Sequence, residues 1–181
     1  MQQHITQLRF FERYLGKVVT TGGMCVIVLL VVKFFIINVG QVNGKSMEPN
    51  FVDDDRFLIN KLSYFVRAPK RYDIVQVIDP SQNKLLIKRV IGLPGEVVAI
   101  KRGKVFIRKA GEQVTAEQEL PERYLKPSTY TMVPGQKDAK RYVVGPDQYF
   151  ILGDNRPQSG DSRGYGPVAR SRILGKVVGK L

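Results

Sequence analysis

The stretch KLLIKRVIGLPGEVVAIKRGKVFI, residues 84–107, contains three short apolar segments separated by two turns. Pro94 and Gly95 stand at the two central positions of a predicted type II turn, and Arg102-Gly103 predicts a tight hairpin. No period of 3.6 residues is sustained here, so the segments indicate strands rather than a helix. We therefore expect strands at residues 85–91, 97–100 and 104–107.

The flanking sequence continues the same pattern. Five further apolar runs predict strands at residues 56–60, 74–78, 141–144, 148–152 and 173–178. Residues 108–140 are polar, contain prolines and show weak patterning, so we interpret them as a long excursion at the edge of the fold. The sequence predicts a mostly β protein.

An apolar run at residues 18–39 is long enough to cross a membrane, which takes about 20 helical residues. A cleaved signal peptide would have a shorter apolar core followed by a small-x-small site, so a retained anchor is the better interpretation. Arg9, Arg13 and Lys17 precede the run and only Lys45 closely follows it, which places the amino terminus in the cytoplasm. We expect a cytoplasmic segment 1–17, a transmembrane helix 18–39 and one extracytoplasmic β domain 40–181.

The composition limits the partners. The net charge is +13, but the 29 basic residues are scattered and no nucleic-acid-binding motif accompanies them, so we expect no nucleic-acid partner. A basic domain beside a membrane would attract anionic headgroups at about 1 kcal/mol per well-placed cation; a solvated basic surface without a partner is the alternative. The single cysteine, Cys25, lies in the apolar run, so no intrachain disulfide can form.

Ser46 is the candidate nucleophile, in Gly44-Lys45-Ser46-Met47-Glu48-Pro49. The only histidine, His4, lies on the far side of the apolar run, so a reactive Ser46 must be activated by a lysine or a carboxylate. The alternative is that Ser46 is simply a turn or cap residue.

Lys88 is the candidate base. Strand alternation places Leu86, Lys88 and Val90 on one face. If that face is buried, desolvation, with help from nearby Arg89, lowers the pKa of Lys88 and yields the neutral amine that a general base requires. The alternative is an edge-strand lysine that points to water.

The third cluster, GDNRPQSGDSRGYGP at residues 153–167, is dense in hydrogen-bonding side chains. Asp161 and Arg163 are predicted to pair and brace the loop, and a serine hydroxyl could orient a neighbouring amine. The aspartate spacing does not fit an EF-hand loop, and Arg156 and Arg163 oppose a cation. We expect no metal and no cofactor.

In this order, the clusters resemble the bacterial type I signal peptidases, especially the short single-anchor form of Gram-positive bacteria. The resemblance covers nearly the whole chain and rests on the anchor, Ser46-Met47-Glu48-Pro49, Asp73-Ile74-Val75, the lysine segment 88–95 and the final segment 153–166. It implies one transmembrane helix followed by a catalytic domain of coiled antiparallel sheets. It also implies a serine endopeptidase that removes signal peptides, with Ser46 attacking and Lys88 accepting its proton.

Further roles are implied by the same resemblance. Ser159 would hydrogen-bond the lysine amine, Asp161 with Arg163 would fix the loop, and the Ser46 N–H would bind the oxyanion. Gly44 stands where some members carry a hydroxyl, Asn50 where a threonine commonly follows the proline, and Tyr72 where a glycine commonly precedes the aspartate.

The family selects small side chains at the first and third residues before the cut, and a shallow apolar wall would explain this choice. Its expected lining is Val42, Met47, Phe51, Leu86 and Ile87. The implied partners are preprotein signal peptides, the membrane lipid surface and the secretion machinery.

Two other functions remain open. A self-cleaving repressor of the SOS type also uses Ser and Lys, but it should carry a DNA-binding helix-turn-helix, and this amino terminus is a predicted membrane span. A noncatalytic signal-peptidase-like factor for the assembly of surface structures should lack the Ser or the Lys, and both are present here.

Overall fold

The computed structural model describes residues 2–31, 37–135 and 139–181, and it divides into two compact units, residues 1–38 and 39–181. The first unit contains helix α1 (Gln2–Val31). Within α1, Tyr14–Val31 is long and apolar enough to cross a membrane. At 1.5 Å per residue this part measures about 27 Å, close to the thickness of a hydrocarbon core.

The predicted transmembrane helix at residues 18–39 extends too far. Strand β1 (Ile37–Gln41) includes its last three residues, and residues 32–36 lie outside the described part of the chain. Hydrophobicity alone does not separate a helix from a buried strand, and Ile37, Asn38 and Val39 continue an apolar run that is rich in β-branched and aromatic residues.

The second unit is built on two sheets. The larger sheet has the strand order β1-β2-β11-β3-β4-β9-β10 and the smaller has the order β7-β6-β5-β8. The remaining strands are β2 (Arg56–Asn60), β3 (Ile74–Ile78), β4 (Leu85–Gly92), β5 (Glu96–Lys101), β6 (Lys104–Lys109), β7 (Gln118–Glu119), β8 (Lys140–Val143), β9 (Gln148–Leu152), β10 (Val168–Ala169) and β11 (Ile173–Lys180). Two short helices lie between strands: α2 (Ser63–Val66) between β2 and β3, and α3 (Ser162–Tyr165) between β9 and β10.

Three apolar clusters form the core, and β4 contributes a buried residue to each; Ile91 belongs to the cluster around Phe150. The central cluster contains Tyr64, Val75, Val77, Val90, Tyr149, Ile151, Val168 and Ile173. The nucleophile-side cluster contains Val42, Met47, Phe51, Phe57, Ile59, Ile87 and Val177. Because β4 is buried from Ile87 to Gly92, polar side chains on this strand are also removed from water.

The predicted strands are confirmed, and their bounds agree closely with the predicted ones. Strands β2, β3 and β9 span the predicted residues. The hairpin is confirmed as well, because Arg102 and Gly103 have φ angles of 51° and 77°, as a type I′ turn requires. The turn at Leu93–Glu96 closes with the Glu96 N–H donating to the Leu93 carbonyl at 3.2 Å.

The interpretation of residues 108–140 as an excursion at the edge of the fold is wrong in part. The segment does supply β7 at one edge of the smaller sheet. However, Leu120, Thr131 and Val133 are buried, and two of them belong to the core cluster around Phe150. Residues 136–138 of the segment lie outside the described residues.

Candidate active site

Ser46 lies in a turn between β1 and β2, and Gly44 sets the entry to that turn. Gly44 has a φ of 100°, which disfavours any side chain, and its N–H donates to Asp53 Oδ1 at 2.7 Å. On the other side of Ser46, Met47 is fully buried in the nucleophile-side cluster. The turn is therefore fixed at both ends and leaves Ser46 partly exposed.

Lys88 reaches the Ser46 hydroxyl from β4. Its backbone pairs with Val75 of β3, and its side chain is 1% exposed. The Lys88 ammonium nitrogen donates to Ser46 Oγ at 2.5 Å and to the Ile87 carbonyl at 3.1 Å. The structure thus brings together the predicted nucleophile and base, which are 42 residues apart in the chain.

The pKa of Lys88 is lowered to about 8, first because burial desolvates the ammonium. The negative charges of Asp161, Asp79 and Asp154 oppose this shift, and the positive charge of Arg163 favours it. Arg89, which was expected to help, is bound instead to Asp154. The desolvated amine can therefore lose its proton near neutral pH.

The loop after β9 contacts the nucleophile turn directly. The Asn155 N–H donates to the Ser46 carbonyl at 3.0 Å, and the Asn155 amide donates to the Lys45 carbonyl at 3.0 Å. A Cβ on Gly153 would lie 2.5 Å from the Ser46 carbonyl oxygen and 2.2 Å from Ser159 Oγ. Only glycine permits this approach of the two segments.

The predicted pair of Asp161 and Arg163 is present and buried. Arg163 Nε lies 2.8 Å from Asp161 Oδ1, and its Nη2 lies 2.8 Å from Oδ2. Arg163 also donates to the carbonyls of Met132, Arg156 and Ser159. The Asp161 carboxylate accepts the Gly153 N–H at 3.0 Å. The pair therefore holds both ends of the loop.

A second buried pair joins the loop to the lysine strand. Arg89 binds Asp154 through two hydrogen bonds of 2.8 and 2.6 Å, and Asn50 donates to the same carboxylate at 2.8 Å. Asp154 therefore connects the three segments that carry Ser46, Lys88 and the final loop. Arg89 directly follows Lys88 and Asp154 directly follows Gly153 in the sequence, and these positions are the local signal for the pair.

A third buried pair joins the loop to the 108–140 segment. Arg156, 1% exposed, binds both carboxylate oxygens of Glu122, donates to Thr131 and lies 3.1 Å from the Tyr124 hydroxyl. The Arg89 guanidinium stacks over the Tyr124 ring, with Cζ 4.0 Å from the ring centre. No local pattern could have identified Glu122, because it lies 34 residues from Arg156.

Ser159 lies at the predicted place without the predicted hydrogen bond. Its hydroxyl is buried and has no hydrogen-bond partner in the described part of the chain. It would contact a Cβ placed on Gly153, next to the Ser46 carbonyl. Within the described residues, the predicted bond between Ser159 and the lysine amine is not formed, and Lys88 Nζ donates to Ser46 Oγ and to the Ile87 carbonyl.

The residues expected to line the apolar wall separate into two groups. Val42, Met47, Phe51 and Ile87 belong to the nucleophile-side cluster, beside the Ser46 turn. Leu86 packs instead against the central cluster, because adjacent residues of a strand point to opposite faces. The structure therefore does not place Leu86 with the other four.

A buried lysine therefore contacts a serine hydroxyl, and the described β unit contains no histidine. The profile of the family described as "Signal peptidase, peptidase S26" matches residues 15–181. Signal peptidase I V of Bacillus subtilis is 37% identical over 161 residues, covering 86% of this chain and 92% of that protein. Signal peptidase I of Leptolyngbya laminosa is 34% identical over 169 residues, covering 88% and 76%.

A crystal structure of a signal peptidase I from Enterococcus faecalis is 31% identical, with a TM-score of 0.48, and covers 61% of this chain and 97% of that one. The family match and the identities with the curated relatives settle the membership. The chain belongs to the signal peptidase family, peptidase S26.

Proposed function

We propose that this chain is a membrane-anchored serine endopeptidase that cleaves signal peptides from exported preproteins with a Ser46-Lys88 dyad. The observation that carries the proposal is the 2.5 Å contact between Lys88 Nζ and Ser46 Oγ, made by a lysine that is 1% exposed. Burial that lowers the pKa of Lys88 to about 8 supplies the neutral amine that the chemistry needs.

In the first step, the lone pair of the neutral Lys88 amine accepts the Ser46 proton while Oγ attacks the scissile carbonyl. The Ser46 N–H donates no hydrogen bond within the described residues, and it would bind the oxyanion of the tetrahedral intermediate. Lys88, now an ammonium, gives its proton to the leaving amine, and an ester between substrate and Ser46 remains.

In the second step, Lys88 accepts a proton from water, and the resulting nucleophile attacks the ester. The proton then returns to Ser46 Oγ, and the product leaves with a new carboxylate. The pairs Asp161–Arg163 and Asp154–Arg89 support this cycle because they hold the loop and the nucleophile turn in place.

Selection of the substrate depends on the nucleophile-side cluster. Val42, Met47, Phe51 and Ile87 would offer an apolar surface to small side chains at the first and third residues before the cut. Leu86 packs against the central cluster and lies on the same face of β4 as Lys88, so it would contribute to substrate binding from the lysine side.

The anchor and orientation complete the proposal. Helix α1 would span the cytoplasmic membrane once, with the amino terminus in the cytoplasm and the catalytic β domain, residues 40–181, outside. The basic residues before the span support this orientation. The catalytic domain would then meet signal peptides at the outer membrane surface, beside the secretion machinery and anionic headgroups.

The test is cleavage of a preprotein by the full chain in lipid vesicles. Wild-type protein should release the mature product, while Ser46→Ala and Lys88→Ala should not. Lys84→Ala is the matched control, since Lys84 is exposed just before β4. A wild-type protein that binds preproteins without cleaving them would contradict the proposal and favour the noncatalytic assembly factor.

A further inference from the structure

A groove of about 500 Å³ lies directly beside the nucleophile turn. Its walls are residues 48–52 after Ser46, residues 125–132 of the long segment and residues 154–157 of the final loop. Its charged and amide lining residues are Glu48, Lys126, Asp154, Asn155 and Arg156. Its volume lies within the range of about 300–1,000 Å³ typical of ligand sites.

Two adjacent residues of the turn belong to different regions, one to the apolar wall and the other to this groove. Met47 is fully buried in the nucleophile-side cluster, while Glu48 lines the groove. Asn155, which also lines the groove, donates its N–H to the Ser46 carbonyl. The groove and the apolar wall therefore adjoin Ser46 on different sides.

Some charged residues of the groove form ion pairs and others do not. Asp154 is bound by Arg89, and Arg156 by Glu122. Within the described residues, the Glu48 carboxylate has neither a hydrogen bond nor an ion pair, although it is only two positions from Ser46. Lys126 is exposed on the wall formed by residues 125–132. The groove thus has an uncompensated negative charge at its end nearest the nucleophile.

We propose that this groove binds the substrate residues that follow the scissile bond, and that Glu48 makes it prefer basic over acidic side chains there. The inference rests on the proposed function, in which the apolar wall takes the residues before the cut. The remaining chain must leave Ser46 on another side, and the groove begins there. Glu48 is two positions after Ser46 in the turn. Because an extended substrate advances by about 3.3 Å per residue, we expect its second and third residues after the cut to lie beside Glu48.

The first test uses preproteins that differ only at the second and third residues after the cut, which are Lys, Gln or Glu. For the full chain in vesicles, kcat/KM should be about fivefold higher for Lys than for Glu, as expected for a partly exposed charge pair. Glu48→Gln should bring this ratio close to one, and Glu48→Lys should invert it. Addition of 1 M salt should also reduce it, because screening weakens exposed charge pairs.

Asp147→Asn is the matched control, because it removes one negative charge from an exposed position outside the groove. It should leave the Lys-to-Glu ratio unchanged. A ratio that is equal in wild type and Glu48→Gln overturns the inference while the cleavage itself still supports the proposed function. Failure of the wild type to cleave any of these preproteins contradicts the proposed function.

The second test needs no turnover. A preprotein with a photo-crosslinking residue at the third position after the cut is bound to Ser46→Ala, and the crosslinked peptide is identified by mass spectrometry. Crosslinks within residues 125–132 or 154–157 support the groove. Crosslinks to Val42 or Ile87 overturn it, because those residues lie in the nucleophile-side cluster.

Discussion

Lys88 and Arg163, the latter in the loop of residues 153–163, are both buried basic residues, but they have different partners. Lys88 and Arg163 are 1% and 4% exposed. Arg163 is bound by both oxygens of Asp161, whereas Lys88 contacts a hydroxyl and a carbonyl and makes no ion pair within the described residues. Desolvation without a carboxylate partner lowers the pKa of Lys88, whereas Arg163 is buried as part of an ion pair.

The difference assigns the two regions different tasks. Arg89 and Arg156 follow the Arg163 pattern, each with a bound carboxylate. These pairs join the final loop, the lysine strand and the long segment, so they act on position and stability. Lys88 has no bound carboxylate within the described residues, and burial lowers its pKa to about 8. The following predictions test this division, from the largest expected effect to the smallest.

Lys88→Arg should abolish cleavage, with kcat/KM reduced by at least about 10⁴-fold, because a guanidinium stays protonated at any usable pH and cannot serve as a base. The measurement is preprotein cleavage in vesicles from pH 6 to 10. Lys84→Arg is the control and should retain activity. Recovery of the Lys88→Arg protein at high pH would show that another group is the base.

Arg163→Met should lower the free energy of unfolding by about 3–5 kcal/mol, because it leaves the Asp161 carboxylate buried and uncompensated. Thermal and denaturant unfolding measure the loss. Lys104→Met is the control, since the Lys104–Glu119 pair is about half exposed and should contribute at most about 1 kcal/mol. Equal losses for the two variants would contradict a structural role specific to the buried pair.

Much of the fold could be predicted because strands such as β2, β3 and β9 combine apolar alternation with clear turn signals at their ends. Strand β1 could not be separated from the membrane span, because both are apolar and only the surrounding structure distinguishes them. Tyr72 stands where a glycine is common in the family. Its φ of 70° explains why a glycine suits this position.

The candidate site was predictable only in part. Residue pattern favoured an exposed Lys88 and an ordinary turn at Ser46, and the order of the motifs reversed both interpretations. The pairs Asp154–Arg89 and Arg156–Glu122 join segments 65 and 34 residues apart, so no local period reports them. The Ser159 hydroxyl makes no hydrogen bond within the described residues, and this depends on how the loop packs in the folded protein, which the sequence does not specify.

Lys88→Met should stabilise the protein below pH 8 relative to wild type. The folded-state pKa of Lys88 is about 8 and the unfolded value 10.5, so between these pH values the unfolded wild type binds more protons and wild-type stability rises with pH. The advantage of Met should therefore shrink by about 3 kcal/mol between pH 8 and 10.5, at about 1.4 kcal/mol per pKa unit.

Denaturant unfolding of the two proteins across this pH range measures the effect. Burial also raises the pKa of Tyr142 to about 12, so both proteins lose stability at the alkaline end, and their difference isolates Lys88. A difference that is independent of pH would mean that Lys88 is not desolvated.

Ser159→Ala should slow turnover by about 10- to 100-fold without loss of stability. Its hydroxyl makes no hydrogen bond within the described residues, so its removal breaks nothing in the resting protein. The slower turnover would follow from the role that the resemblance implies for Ser159, which is to orient the lysine amine during the reaction. Ser162→Ala is the control. Its hydroxyl accepts the Ile151 N–H at 3.0 Å, so this variant should lose about 1–3 kcal/mol. If both variants are equally stable and equally active, Ser159 has no positioning role.

Val90→Thr should produce the smallest effect, a shift of the pH–rate profile. Activity should rise through a limb near pH 8 as Lys88 loses its proton. Val90 is fully buried on the same face of β4 as Lys88, so a hydroxyl there should make the surroundings more polar and raise the pKa of Lys88. The limb should move to higher pH by less than about one unit.

Val98→Thr, the same change at an equally buried position in the cluster around Phe150, should leave the limb in place. A limb in the carboxylate range, unaffected by Val90→Thr, would identify an aspartate as the base, and the contrast between Lys88 and the paired arginines would then lose its catalytic meaning.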